Sequence, residues 1–219
     1  MKKITVLALA VIILCSCSNN TPSEPLVNTD LIINASLSRQ ESETSFGQVV
    51  YGVMLFDAAY NPVLGAVVTV SGPGGVTTLA DAYSTGSYMG QFIGDEGADW
   101  FQFGQSYTVS VSTGGGTYTA GMSAPGSVSV AGDGSTVSWQ YEGNQDTVMV
   151  MHTVSSEQVT LMPDQNSPVN LNATGIYNNG AGDYNIQANI VKVGVSAFSG
   201  ASAGSALTMT NQYIATRTK

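Results

Sequence analysis

Apolar and polar residues alternate along much of this chain. Residues 105–112 place Tyr107, Val109 and Val111 on one face, and residues 184–189 repeat the pattern. A period of two is typical of β-strands, whose successive side chains point to opposite faces. Turn residues recur about every ten positions, a spacing typical of β-sandwiches. The pattern therefore predicts an all-β chain.

The predicted strands fall into two groups. The first group lies at 31–37, 49–56, 63–70, 76–79, 86–92, 105–112 and 117–122. The second group lies at 127–131, 137–139, 147–151, 159–162, 169–171, 184–189 and 204–209. We predict a polar loop at 39–45 and an acidic loop at 94–99, because neither segment alternates. No helical period is predicted beyond the N-terminal segment.

The N-terminal segment has the pattern of an export signal. Lys2 and Lys3 precede the apolar run Ile4–Leu14, which is too short to span a bilayer. The run ends in Leu-Cys-Ser-Cys at 14–17, which resembles the lipobox of bacterial lipoproteins. An ordinary secretory signal cut elsewhere is the alternative. Cys15 is a poorer candidate for modification, because large Leu14 stands where that family has a small residue.

The lipobox resemblance implies a location. It implies a signal peptide at 1–16 and a lipid attached to the thiol of Cys17, with the new amine acylated as well. Two or more acyl chains hold a protein durably on a membrane. Ser18 stands where an aspartate would retain the protein at the inner membrane, so we expect the outer membrane. Residues 17–29 are mostly polar with two prolines and predict a flexible tether.

A second resemblance concerns residues 30–122. The motifs are Gly52-Val53, Asp57, Asn61-Pro62-Val63, Gly65-Ala66-Val67-Val68, Gly86-Ser87-Tyr88 and Tyr107-Thr108-Val109. Together they resemble the carboxypeptidase-regulatory or transthyretin-like β-sandwich module. That likeness implies a fold but no one function, since such modules serve as spacers, adhesins and enzyme appendages.

Residues 123–219 resemble a fibronectin type III-like sandwich. Pro125 opens the segment, Trp139 stands where that family buries a core tryptophan, and Tyr184 matches its late-strand tyrosine. The stretch 190–203 departs from the family, because the last hairpin is longer and rich in Gly and Ser. The expected fold is therefore two tandem Ig-like β-sandwich domains after a signal peptide and tether.

Composition excludes several functions. The chain of 219 residues has a net charge of −9, and loss of Lys2 and Lys3 with the signal leaves four basic against 15 acidic residues. Nucleic-acid binding needs clustered Lys and Arg, so we expect none. After cleavage Cys17 is the single cysteine, which excludes an internal disulfide.

The residues needed for catalysis are scarce. His152 is the single histidine, so the usual His/Cys zinc sites are excluded. Residues 200–204 match Gly-x-Ser-x-Gly, but no helix is predicted after Ser202 and His152 precedes it, unlike the order in α/β-hydrolases. Lys192 is the one lysine of 30–218 and a remote candidate for a self-formed isopeptide bond. We expect a protein that is not an enzyme.

Two clusters are candidate binding sites. Asp95, Glu96 and Asp99 form an acidic group with glycines, which is either a solvated loop or a Ca²⁺ site. The aromatic candidates for a sugar or protein contact are Tyr83, Tyr88, Trp100 and Phe101. If 100–101 is extended, adjacent rings point to opposite faces and one is exposed. The alternative is that these rings close the end of the sandwich.

Two functions follow. The first is a non-catalytic envelope lipoprotein, held to the membrane through Cys17, whose modules act as a structural or protein-interaction element. The alternative is a glycan-binding or adhesive surface lipoprotein that uses Tyr83, Tyr88, Trp100 and Phe101, with or without Ca²⁺. The expected partners are the membrane and an envelope protein or glycan.

Overall fold

A computed structural model describes residues 31–43, 45–81, 83–93, 95–139, 147–154, 157–161, 167–173 and 181–218. Strands make up nearly all of the regular structure in these ranges, beside one short helix and one turn of 3-10 helix. The prediction of an all-β sandwich fold is confirmed. The predicted signal peptide at 1–16, Cys17 and the tether at 17–29 lie outside the described residues.

The first half of the chain forms seven strands and the helix. Their bounds are β1 Ile32–Ser42, β2 Ser45–Phe56, β3 Val67–Gly72, β4 Gly75–Asp81, β5 Ser87–Ile93, α1 Asp95–Trp100, β6 Ser106–Thr113 and β7 Gly116–Ser123. The second half forms β8 Val128–Val130, β9 Thr136–Trp139, β10 Thr147–Val154, β11 Glu157–Leu161, β12 Val169–Asn170, the 3-10 turn Leu171–Ala173, β13 Asp183–Val195 and β14 Ala206–Thr218.

Eleven of these strands form one sheet that curls on itself. The order is β11-β10-β13-β14-β1-β2-β5-β4-β3-β6-β7, and β12-β9-β8 form a second, three-stranded sheet. Strand β4 is the corner, since it pairs with β3 over most of its length but with β5 only at Ala80 and Asp81. The curl brings β3, β4, β6 and β7 over β1, β2 and β5.

The first core lies inside this curl. Its buried side chains come from both layers, including Leu37 and Tyr51 from one and Val70 and Val109 from the other. Alternation along β6 puts Tyr107, Val109 and Val111 inward, as the sequence predicts. Burying a residue of this size contributes about 1.5–3 kcal/mol, so the core is the main stabilising element of this half.

Strand β14 joins the two halves. It pairs in parallel with β1 from Asn34↔Ala206 to Ser42↔Ile214, and antiparallel with β13 along its whole length. Its first residues, Leu207 and Met209, lie in the first core, whereas Ala215 lies in a second core. That second core contains Trp139 and Tyr184, both buried. The division into 30–122 and 123–219 stays a prediction, and β14 contributes to both sides of it.

Three local predictions differ from the structure. The predicted polar loop at 39–45 is mostly strand, because β1 continues to Ser42 between two hydrogen-bonded neighbours and β2 begins at Ser45. Residues 63–66 precede β3 instead of starting it, since Pro62 bridges to Phe56. The predicted loop at 94–99 is largely helix α1. Six residues are too few for a helical period to be visible in a sequence.

Candidate functional site

The structure buries two of the predicted binding aromatics. Trp100 is 5% exposed and Phe101 is fully buried. Both point inward because helix α1 ends at Trp100 and the chain bends there, so the alternation of an extended strand does not apply. Trp100 packs edge-on against Tyr51 with ring centroids 4.7 Å apart, and Phe101 stacks on Tyr107 at 5.4 Å. These rings close one end of the first core.

Tyr107 holds this bend in place. Its hydroxyl donates to the carbonyl of Trp100 at 2.8 Å and accepts the backbone N–H of Gln102 at 2.7 Å. The turn at Gly74 packs against the ring of Trp100, because a Cβ at residue 74 would lie 2.6 Å from Trp100 Cδ1. Neither Trp100 nor Phe101 presents a ring face to solvent.

The structure places the two tyrosines predicted for binding in different environments. Tyr88 is buried, and its hydroxyl accepts the backbone N–H of Ala66 at 3.0 Å. Burial raises the pKa of Tyr88 above its ordinary value. The hydrogen bond from Ala66 opposes part of this increase, and the negative charge of Asp81 adds to it. Tyr83 is 77% exposed. The four candidates therefore do not form one exposed aromatic patch.

The acidic cluster lies on helix α1. Asp95 begins the helix, and Glu96 and Asp99 are exposed. Within the described part of the chain, no group of three or more His, Cys, Asp or Glu residues is placed to hold a metal ion. Ca²⁺ binding at this helix stays a prediction.

A pair of loops at the other end of this core presents exposed tyrosines. The first loop, 57–66, is built on Asp57, whose Oδ1 accepts the N–H groups of Ala59 and Asn61 at 2.8 Å each. Its Oδ2 accepts the Asn61 side-chain amide at 2.9 Å. Burial of this carboxyl raises its pKa, but the hydrogen bonds from Asn61 and Ala59 outweigh burial, so the pKa lies below its ordinary value.

The second loop, 83–86, is likewise held by an aspartate carboxylate that accepts backbone N–H groups. Asp81 Oδ1 accepts the N–H of Thr85 at 3.0 Å and Oδ2 that of Gly86 at 3.3 Å. The loops are joined, since Leu55 N–H donates to the carbonyl of Gly86 and Val63 N–H donates to that of Leu55. Gly86 has φ of 70°, and a Cβ there would lie 3.0 Å from the Leu55 oxygen, so only glycine fits.

The tip of the first loop carries a residue that sequence reasoning missed. Tyr60 is 72% exposed and has φ of 62°, a conformation that costs a bulky residue about 1–3 kcal/mol. The network around Asp57 maintains it, with Tyr60 N–H donating to the Asp57 carbonyl. The turn motif Asp57…Asn61-Pro62 signals the loop, but the motif does not show which side chain it exposes.

The Gly-x-Ser-x-Gly segment forms the connection between β13 and β14. Ser202 N–H donates to the carbonyl of Leu31 at 2.9 Å, and the Ser202 hydroxyl accepts the N–H of Gly204 at 3.3 Å. This serine therefore stabilises the connection. The side chain of His152 lies outside the described part of the chain. Lys192 donates to the carbonyl of Ser123 at 3.3 Å.

Comparison with known proteins gives little. No protein-family model matches this chain, and no curated protein matches it either. A solved structure described as "Structural insight into host cell surface retention of a 1.5-MDa bacterial ice-binding adhesin" is similar at 15% identity with a TM-score of 0.28. The match covers 88% of this chain and 64% of that structure. No helix in the described ranges combines the length and apolarity needed to span a bilayer.

Proposed function

We propose that this protein is a non-catalytic, lipid-anchored component of the bacterial envelope. Its lipid is attached at Cys17, its place is the outer membrane, and its β-sandwich body is a structural or protein-interaction element. The observation that carries the proposal is the position of β1. This strand directly follows the proposed tether and is hydrogen-bonded on both sides, to β2 and to β14.

Because β1 pairs with both β2 and β14, the strand that follows the proposed tether is hydrogen-bonded to both halves of the body. Strand β14 runs from the first core to the second, and 13 residues of strand span about 40 Å. The second core therefore begins level with the part of β1 that is remote from the tether and extends past the end of that strand. Such an arrangement suits a protein that presents a distal surface on the side of the body away from its tether.

The contacts between the halves support a rigid body. Arg217, near the end of β14, forms an ion pair with Glu43 of the β1–β2 turn and donates to the carbonyl of Ala131 at 2.9 Å. The Asn211 side chain donates to the buried carbonyl of Gly126, between β7 and β8, at 3.0 Å. Arg217 therefore links segments on either side of residue 123, and Asn211 ties the segment between β7 and β8 to β14, the strand that pairs with β1.

The buried polar groups support a non-catalytic role. Ser205 accepts the N–H of Ile33 at 3.0 Å, Asp57 organises its own loop, and Arg39 donates to the carbonyl of Phe101 at 2.7 Å. Each of these groups is used in holding the backbone. A reactive group, in contrast, normally lies in a cleft with an orienting partner.

The test is substitution of the lipid-bearing residue. We expect Cys17→Ala to move the protein from the membrane fraction to the soluble fraction and to abolish labelling with a radioactive fatty acid. Cys15→Ala is the matched control and leaves both unchanged. Membrane fractionation and labelling that survive Cys17→Ala would overturn the proposal.

The glycan-binding or adhesive role, with or without Ca²⁺, is the second candidate. Exposed Tyr83 favours it, together with Tyr60 on the adjoining loop, whereas the burial of Tyr88, Trp100 and Phe101 removes the platform expected for it. A glycan array probed with the Cys17→Ala chain tests this role. Binding that is lost on Tyr83→Ser supports it, and an array without binding rejects it.

A further inference from the structure

Three large exposed side chains lie at one end of the first core. Tyr60, Tyr83 and Val195 are 72%, 77% and 75% exposed. Tyr60 follows the end of β2, Tyr83 precedes the start of β5, and Val195 is the last residue of β13. These strand ends lie side by side, because Phe56 pairs with Ile32, Ser87 with Met54 and Val195 with Ala206. From β13 to β5 this end is four strand spacings wide, about 20 Å. We call it the tether-end surface.

The chain enters the body at this same end. Leu31 begins the described body, and its carbonyl accepts the N–H of Ser202 and the hydroxyl of Ser205. The Ser205 hydroxyl oxygen also accepts the backbone N–H of Ile33. Leu31, the residue at which the described body begins, therefore lies at the end that carries the tether-end surface.

We infer that the tether-end surface rests in the interfacial layer of the bilayer that carries the lipid anchor. The inference rests on the proposed lipid at Cys17. Only 13 residues, 18–30, separate that cysteine from Leu31, so the body stays within about 45 Å of the membrane. The end that carries Tyr60, Tyr83 and Val195 is the end turned toward the lipid.

Tyrosine suits this position for a chemical reason. Its ring is apolar and its hydroxyl polar, and it is enriched where one end of the side chain meets hydrocarbon and the other meets water. The two tyrosine-bearing loops are already ordered by Asp57 and Asp81. Contact with headgroups therefore costs little additional conformational entropy.

Charge does not drive the contact. The carboxylates of Asp57 and Asp81 accept backbone N–H groups, and the described basic side chains are used elsewhere. Arg39 pairs with Glu41, Arg217 with Glu43, and Lys192 with the carbonyl of Ser123. We therefore expect the contact to form on zwitterionic lipid without salt dependence, and to be no stronger on anionic lipid, which repels the acidic chain.

The tether makes a weak contact sufficient. Once the lipid is inserted, docking is intramolecular, and a short linker gives an effective concentration of about 1 mM or more. The same surface on an unlipidated chain has no such advantage. The two signals act together, as in other proteins that combine an acyl chain with a second membrane contact.

The experiment is neutron reflectometry of the lipidated protein in a supported phosphatidylethanolamine bilayer, with and without phosphatidylglycerol. We expect the protein layer to adjoin the headgroups directly in both lipids. In the double variant Tyr60→Asn with Tyr83→Ser, we expect a water-rich gap of several tens of ångströms. Asparagine is chosen at 60 because it tolerates a positive φ.

The matched control is the double variant Val76→Ser with Ile93→Ser. These side chains are 71% and 64% exposed but lie at the opposite end of the same core. We expect this variant to adjoin the bilayer like the wild type, and circular dichroism melts check that both variants fold. A gap in the wild type, or equal detachment of both variants, would overturn the inference.

Failure of the proposed function has a different signature. Without a lipid at Cys17, no protein layer forms on the bilayer at all. If the tether-end surface instead binds a second copy, the wild type is dimeric by sedimentation in detergent and Tyr60→Asn with Tyr83→Ser is monomeric. That result would also overturn the inference.

Discussion

At the scale of single residues, two buried tyrosines differ in what their hydroxyls contact. Tyr107 donates to Trp100 and accepts from Gln102. Tyr51 is 1% exposed, and no described residue forms a hydrogen bond with its hydroxyl. Burial raises the pKa of both. A buried hydroxyl without a partner destabilises the folded state, whereas a bonded one stabilises it.

Substitution by phenylalanine separates the two cases. We expect Tyr51→Phe to leave the free energy of unfolding unchanged or raise it by about 1 kcal/mol, because it removes a desolvated hydroxyl. Tyr107→Phe leaves the buried carbonyl of Trp100 and the part-buried N–H of Gln102 without their partner, so we expect a loss of about 1–3 kcal/mol. Urea unfolding of both variants measures this. Equal losses would contradict the assignment.

Asp57 predicts a pH dependence at the same scale. Its pKa is below the ordinary value in the folded chain, so the unfolded chain binds the proton first as the pH falls. The stabilisation is complete above about pH 4 and is lost as the pH falls through the folded-state pKa. We expect Asp57→Ala to be less stable than wild type at pH 6 and to lose less on acidification. The pH dependence of the melting temperature tests this, and parallel curves would count against it.

The local pattern of apolar and polar residues predicts strands better than it predicts the environment of single side chains. The alternation at Tyr107, Val109 and Val111 correctly places all three side chains in the core. At Trp100 and Phe101 the strand pattern does not apply, because a six-residue helix ends there, and the structure matches the alternative in which both rings close the end of the sandwich. Tyr60 is missed because its exposure depends on a hydrogen-bond network around Asp57.

At the scale of elements, the long hairpin β13–β14 decides the architecture. The stretch 190–203, which departs from the fibronectin-like pattern, extends β13 to Val195 and then inserts Phe198 into the first core. Its many small residues allow the connection to pack closely against Leu31 and Ser205. The stretch 190–203 has the composition of a flexible loop, but through Phe198 it forms part of the first core.

Substitution of Asn211 tests the link between β14 and the segment that joins β7 to β8. It is fully buried in β14, and its amide donates to the buried carbonyl of Gly126. We expect Asn211→Ala to lower the free energy of unfolding by about 1–3 kcal/mol, because that carbonyl loses its donor. Thr210→Ala, one position away and half-buried, is the control with a loss under about 0.5 kcal/mol. Chemical denaturation measures both, and equal losses would refute this role.

At the scale of the whole molecule, the parallel pair β1–β14 makes the halves interdependent. A fragment of residues 30–122 lacks Phe198, Leu207 and Met209 and exposes the edge of β1. Each missing core side chain removes about 2–5 kcal/mol, which exceeds the reserve of a small domain. We expect the fragment to show no cooperative thermal transition and to aggregate through its open edge.

The control is the Cys17→Ala chain, which keeps the complete body without lipid and should melt cooperatively. Circular dichroism and light scattering of both samples decide the matter. A fragment that melts as cooperatively as the control would make 30–122 an independent module.

Strand content, most turn positions, acidic charge and the proposed anchor at Cys17 could be predicted from the amino-acid sequence, because each depends on composition or on neighbours along the chain. The parallel pairing of β1 with β14, the shared strand between two cores and the exposure of Tyr60 could not. They depend on contacts between residues more than 100 positions apart, or on backbone geometry that no periodicity encodes. Folding alone brings Leu31 and the two tyrosine loops to one end of the first core.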